Sequence, residues 1–129
     1  GVAAVADYRP IQIAEEKIKK DEGAINLRLI KNPDIISKVA ALTEKPFTVG
    51  FAAETNSVVV NGRKKLHEKK LDLLFANNAI DAFNSDNIAV TAIDENLEHQ
   101  LGPANKSVVA RKMIELISAA LEEDTAKNP

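Results

Sequence analysis

Cysteine is absent from this chain, which excludes disulfides, thiolate metal sites and a cysteine nucleophile. Histidine is nearly absent too: His67 and His99 are the only two, which argues against a structural zinc site. There is no tryptophan, and four phenylalanines with one tyrosine are the whole aromatic complement. No sign of charge dominates, with Lys+Arg 17 against Asp+Glu 19 and a net charge of −2. That balance lacks the basic field that nucleic acid or an anionic membrane surface requires. No apolar run approaches the ~20 residues of a membrane span, and no signal-peptide pattern opens the chain. The glycine pattern G-x-G-x-x-G, which a nicotinamide-dependent reductase places after its first strand, does not occur. These absences leave a cytoplasmic protein with no nucleic-acid or membrane partner as the expectation.

The 129 residues are 45% hydrophobic and 28% charged, an ordinary globular composition with enough apolar side chains for a real core. There are no internal repeats, low-complexity tracts or linkers. The expectation is one domain over residues 1–129, with a polar, frayed and disordered tail over 122–129. The chain has no initiator Met and starts inside an apolar stretch, so it reads as a piece of something longer.

That stretch, GVAAVADYRP, predicts a short strand at Val2–Ala6, buried on both faces because it lacks polar alternation. Pro10 ends it. Asp7 then stands at a strand's carboxyl end, where open α/β sheets bind ligands, and Lys17, Lys19 and Lys20 follow with charge suited to phosphate. A core strand followed by a solvated charged loop is the alternative. In AINLRLI, Ile25, Leu27 and Leu29 alternate with polar residues and predict a half-buried strand. Asn32 as cap, Pro33 in the first turn and Asp34 at the dipole's positive end predict a helix to about Leu42, its N-terminus free to meet an anion or simply capped.

Phe47–Ala52 and Leu71–Ala76 predict two further buried strands. Phe51, at the end of the first, is either core or a ring that stacks on a flat ligand. Between them, Asn56–Lys70 predicts a helix weakened at Asn61-Gly62, with Lys65 and Lys69 four apart on one face. Ile88–Ile93 and Leu97–Leu101 predict an antiparallel hairpin at the sheet edge, and Ser107 a cap for a long amphipathic helix. Strands alternating with helices imply a Rossmann-like three-layer α/β/α fold, its sheet mostly parallel with an antiparallel edge hairpin, and a ligand crevice at the strand carboxyl ends. That crevice would gather Asp7, residues 32–36, residues 51–54 and Asn77.

The ordered blocks AAVADYRP, EKIKK, KNPDII, VGFAAET, LDLLFANN and FNSDN resemble the phosphopantothenate–cysteine ligase family from Gly1 to about Leu121. The resemblance implies CTP-dependent ligation of 4′-phosphopantothenate to L-cysteine through an acyl-cytidylate, with Mg2+, in a homodimer. It also implies a flavin-dependent decarboxylase, with its FMN, fused outside this chain. It carries over a catalytic role to Lys17. Nucleotide contacts carry over to Gly1, Val2 and Ala3 through their backbone, to Asp7, to Pro33, Asp34, Ile35 and Ile36, and to Phe51, Lys65 and Lys69. Asp7 is the candidate for the triphosphate-bound metal. The family's first strand, glycine-rich phosphate loop and acyl-handling asparagine are expected upstream of Gly1. The rival reading is a non-catalytic module whose Arg63–Lys70 helix binds an anion, an acidic partner or RNA.

Overall fold

The computed structural model describes residues 5–19, 23–82 and 85–127, which fall into two compact units, Gly1–Ile35 and Ile36–Pro129. In the first unit β1 (Tyr8–Pro10) and β2 (Leu29–Lys31) form a two-stranded antiparallel ribbon, Tyr8 opposite Lys31 and Pro10 opposite Leu29. Side chains tie its ends. Arg9 Nη1 donates to Asn32 Oδ1 at 2.9 Å, and Asn32 Nδ2 donates to the Ala6 carbonyl at 2.6 Å. The Asn32 backbone N–H donates to the Asp7 carbonyl at 2.8 Å.

This ribbon corrects two sequence expectations. The strand placed at Val2–Ala6 falls partly outside the described residues; Val5 and Ala6 are irregular and exposed, and the first strand begins at Tyr8. The strand expected from Ile25 forms only from Leu29, with Ile25 and Leu27 exposed. Alternating apolar residues become half-buried only where a second layer covers them, and a two-stranded ribbon brings no such layer of its own. Asn32, committed to Ala6 and Arg9, does not serve the helix that follows as its expected cap.

The second unit is a mixed four-stranded sheet in the order β3 (Val49–Glu54), β4 (Leu73–Asn78), β5 (Asn87–Ile93), β6 (Glu98–Asn105). β3 and β4 are parallel, in the register Phe51 to Phe75. β4–β5 and β5–β6 are antiparallel, so the hairpin is present and the described sheet has one parallel pair rather than mostly parallel pairing. The helices are α1 (Ile35–Ala40), α2 (Val58–Lys69), α3 (Ala79–Ala82) and α4 (Lys106–Lys127). Asn105, not Ser107, begins α4: its Oδ1 accepts from the Ser107 N–H at 3.0 Å. α4 carries the chain in helix through 122–127, where a frayed tail was expected.

β4 reads LLFANN and shows why the fold has three layers. Leu74 and Ala76 face α1 and α2, in one core with Ala52, Leu66 and Ile93. Leu73 and Phe75 face the other way, in a second core with Val90, Leu101 and Val109 of α4. Both faces of β4 are buried, as expected for the strand read over Leu71–Ala76, although it runs Leu73–Asn78 with Asp72 ahead of it. β3 departs from that expectation. It is the outermost strand of the described sheet, its burial alternates, and Phe51 is 58% exposed.

Gly62, which looked like a weak point in a helix, is where α2 meets the sheet. A Cβ there would lie 2.7 Å from Ile93 Cδ1 and 3.2 Å from Ala76 Cβ. The glycine lets the helix backbone approach the strands directly. Gly62→Val should therefore destabilise the fold by ~2–3 kcal/mol in urea unfolding, overpacking and lost χ1 freedom adding together. Val60→Ala, on the exposed face of the same helix, should stay within about 0.5 kcal/mol.

A polar clamp fixes the amino-terminal ends of β3 and β4. Asp72 Oδ2 accepts from the Thr48 N–H at 2.7 Å and the Thr48 hydroxyl at 2.8 Å, while Oδ1 meets Lys45 Nζ at 2.5 Å. The Asp72 N–H returns to the Thr48 carbonyl at 3.0 Å. Burial pushes the Asp72 carboxyl pKa up, but the hydrogen bonds from Lys45 and Thr48, with the lysine's charge, outweigh it and hold the group below its ordinary value. A depressed native pKa stabilises the fold above the unfolded value of about 3.9 and loses that contribution as pH falls through the native one. Asp72→Asn should lose ~1–2 kcal/mol near neutrality. Its unfolding free energy, measured from pH 6 down to pH 2, should fall less steeply below pH 4 than that of the unaltered chain.

Candidate functional site

The carboxyl ends of β3 and β4 carry a polar group of side chains. β3 ends on Glu54, whose side chain is 12% exposed, and four residues on the chain enters α2. Strand alternation turns Gly50, Ala52 and Glu54 toward α2. Glu54 Oε1 lies 2.6 Å from Lys65 Nζ, one helical turn beyond Gly62. Oε2 accepts from Asn61 Nδ2 at 3.3 Å, and the same amide donates to the Asn56 carbonyl at 2.9 Å. Beside β3, Asn77 of β4 is 4% exposed; its Nδ2 donates to the Asn78 carbonyl, and its Oδ1 is buried with no hydrogen-bond partner.

Phe51 stands on the opposite face of β3, in phase with Val49. It is the third residue of the strand rather than its last, with Glu54 three positions further on. α4 packs on β5 and β6, and the ring is left open on the face of β3 beyond them. The exposed ring resolves the alternatives left by the sequence: Phe51 is not core.

In the basic stretch Arg63–Lys70, Lys64 and Lys70 are exposed while Arg63 and Lys65 are drawn into ion pairs with the sheet. Arg63 Nη2 meets Glu98 at 2.7 Å and Nη1 donates to the Asp94 carbonyl at 3.2 Å, locking α2 to the β5–β6 turn. Lys64 pairs with Glu68 at 3.7 Å and Lys65 with Glu54. Lys69, one turn beyond Lys65, is half-buried.

The remaining predicted residues belong largely to the first unit. Asp7 is exposed, and its carbonyl accepts from the Asn32 backbone N–H. Pro33, Asp34 and Ile35 lead into α1, all exposed, while Ile36 packs on the α2-side core. Lys17 is exposed on the irregular stretch between β1 and β2. Gly1, Val2 and Ala3 lie outside the described residues. No group of three His, Asp or Glu side chains suited to a metal ion occurs among the described residues. No described helix is long and apolar enough to cross a membrane. A shallow groove along α4 is lined by Ser118, Leu121, Glu122 and Thr125, one face of a single helix remote in sequence from these groups.

Sequence reasoning placed Glu54 on a loop and gave Asn61 and Asn77 no role. Nothing in their spacing announces that a strand-end acid meets a lysine on the next helix; only the close approach at Gly62 does.

A three-layer α/β domain with polar side chains at the carboxyl ends of a parallel strand pair is the class defined by fold and site. The family model of the DNA/pantothenate metabolism flavoprotein C-terminal domain matches residues 1–121, and the chain belongs to that family. It is 46% identical over 125 residues to the coenzyme A biosynthesis bifunctional protein CoaBC of Vibrio vulnificus strain CMCP6, covering 92% of this chain and 31% of the relative. The CoaBC protein of Escherichia coli K12 is 39% identical over 130 residues, covering 95% and 32%. The chain thus spans about a third of the length of these relatives. A crystal structure of the C-terminal domain of a CoaBC protein superposes with a TM-score of 0.71 at 30% identity, covering 94% of this chain and 53% of that one. A DNA/pantothenate metabolism flavoprotein from Streptococcus pneumoniae, at 23% identity, shares the fold with a TM-score of 0.70, covering 90% and 60%.

Exposure of Phe51 sets a test. Phe51→Ala should leave stability within about 1 kcal/mol, against the ~3–5 kcal/mol that removing a core ring costs, as read by denaturant unfolding.

Proposed function

We propose that this chain is the nucleotide-handling part of a phosphopantothenate–cysteine ligase acting in coenzyme A biosynthesis. The observation that carries the reading is the 46% identity with a coenzyme A biosynthesis bifunctional protein over 92% of the chain. Exposed Phe51 and the half-exposed Lys65 flanking one outer strand support it, since a base and a phosphate chain need a ring and a cation on accessible surface. The substrates are CTP, 4′-phosphopantothenate and L-cysteine. The protein works as a cytoplasmic homodimer, and FMN belongs to the fused decarboxylase.

A carboxylate oxygen of phosphopantothenate attacks the α-phosphorus of CTP, the bond to the β-phosphate oxygen breaks, and pyrophosphate leaves. Cysteine's amine then attacks the acyl carbon and CMP departs. Attack on a triphosphate brings an anion toward several negative charges. Magnesium bound with the triphosphate would supply part of the neutralisation, and Asp7 is the residue of this chain that would help to hold it. The residues of this chain do the rest. Lys65 and Lys69 meet the phosphates, Phe51 stacks on the base, and residues 33–36 and Gly1–Ala3 offer backbone groups to the nucleotide. Lys17 is exposed on an irregular stretch, so its ammonium is free to reach the departing pyrophosphate. A charge placed there stabilises the transition state more than the ground state.

Lys17→Gln in the full-length protein should fold normally and release pyrophosphate ~10²–10³ times more slowly in a single turnover with CTP and phosphopantothenate, cysteine omitted. Lys20→Gln should release it at close to the unaltered rate. Equal rates for both variants would remove Lys17 from the chemistry.

A further inference from the structure

The outer strand ends on a carboxylate beside the cation that meets the phosphates, and a triphosphate should be repelled by it. Glu54 nevertheless has a side chain only 12% exposed, while its partner Lys65 is 43% exposed. Glu54 Oε1 is buried, takes no hydrogen bond of good geometry, and has Lys65 Nζ 2.6 Å away. The other oxygen is held by Asn61, itself anchored to Asn56. The carboxylate is thus fixed from below by a loop and a helix, and opens only toward the ammonium.

We propose that Glu54 is the positioning residue for Lys65: the close ion pair holds the ammonium at the strand end and leaves its N–H groups to the nucleotide's phosphates. This rests on the reading above that Lys65 meets those phosphates. A lysine stem has four rotatable bonds, and ordering it on binding would weaken the complex. A tether that orders it beforehand removes that loss, which is preorganisation. Repulsion between Glu54 and an incoming anion is small because the ion pair is already neutral, and because the carboxylate lies deeper than the ammonium. Gly62 sets the distance. With no Cβ between α2 and the sheet, the helix sits close enough for Lys65, three residues on, to reach the strand end.

A tether of this kind acts on binding rather than on chemistry. It therefore predicts a split between KM and kcat that loss of fold would not produce. The test uses the full-length ligase with CTP varied at saturating phosphopantothenate and cysteine, and the variants Glu54→Gln, Lys65→Met and the two together. Gln keeps the shape and the Asn61 hydrogen bond but releases the ammonium. Lys65→Met should raise KM for CTP by about tenfold or more, the loss of a charge-assisted hydrogen bond. Glu54→Gln should raise it three- to tenfold with kcat within twofold and melting temperature little changed. The double variant should be no worse than Lys65→Met, because the tether has nothing left to hold.

An unchanged or lowered KM in Glu54→Gln, with KM raised in Lys65→Met, overturns the tether and leaves the phosphate role of Lys65 standing. Additive losses in the double variant overturn it too, since Glu54 would then act by another route. Unchanged KM in Lys65→Met overturns the phosphate role itself, and the tether with it. A lowered melting temperature in Glu54→Gln without any change in KM makes the pair structural only.

Discussion

Burial of both faces of one six-residue strand, β4, is the constraint on which the rest of this structure depends. Leu74 and Ala76 close one core and Leu73 and Phe75 the other, so the strand belongs to two layers at once. A slip of one residue in its pairing would exchange the two sets and empty both cores. Parallel pairing with β3 and antiparallel pairing with β5 follow from where those elements can be covered, with α2 on one face and α4 on the other.

Much of this was legible in the sequence. The strand read over Leu71–Ala76 forms, two residues later, as the doubly buried Leu73–Asn78, and the strands read on either side of Asp94–Asn96 fold as the hairpin. The helix read over Asn56–Lys70 forms as Val58–Lys69, and the Asn61-Gly62 step that was to weaken it answers a packing need instead. The miscast segments share a cause. Val5, Ile25 and Leu27 have the composition of strand residues and no layer above them, and burial is a property of neighbours that a local pattern cannot contain. Phe51 shows the same thing on β3, whose run looks as apolar as that of β4 but lies at the margin of the sheet.

Site residues were legible in kind more than in arrangement. The resemblance supplied Lys65 and Phe51, yet not that strand alternation sets them on opposite faces of β3, nor that Lys65 is already paired. Local neutralisation is a general feature of this chain. Lysines and acids nearly balance overall, and along α2 the balance is repeated pair by pair, Arg63 with Glu98, Lys64 with Glu68, Lys65 with Glu54. A protein without a long-range field has to attract an anionic ligand by contact geometry. Its association is then governed less by ionic strength than that of a basic surface.

The clamp of Lys45, Thr48 and Asp72 holds β3 and β4 at their amino ends, and buried Asn77 and the Glu54–Lys65 pair stand toward the carboxyl ends of the same two strands. One end is therefore free to change for durability while the other changes for chemistry. Lineages living in heat or acid can rework the clamp without disturbing the polar side chains at the opposite end of the strands. An engineer wanting a hardier form of this domain would start at the clamp and leave the Glu54–Lys65 pair as it is.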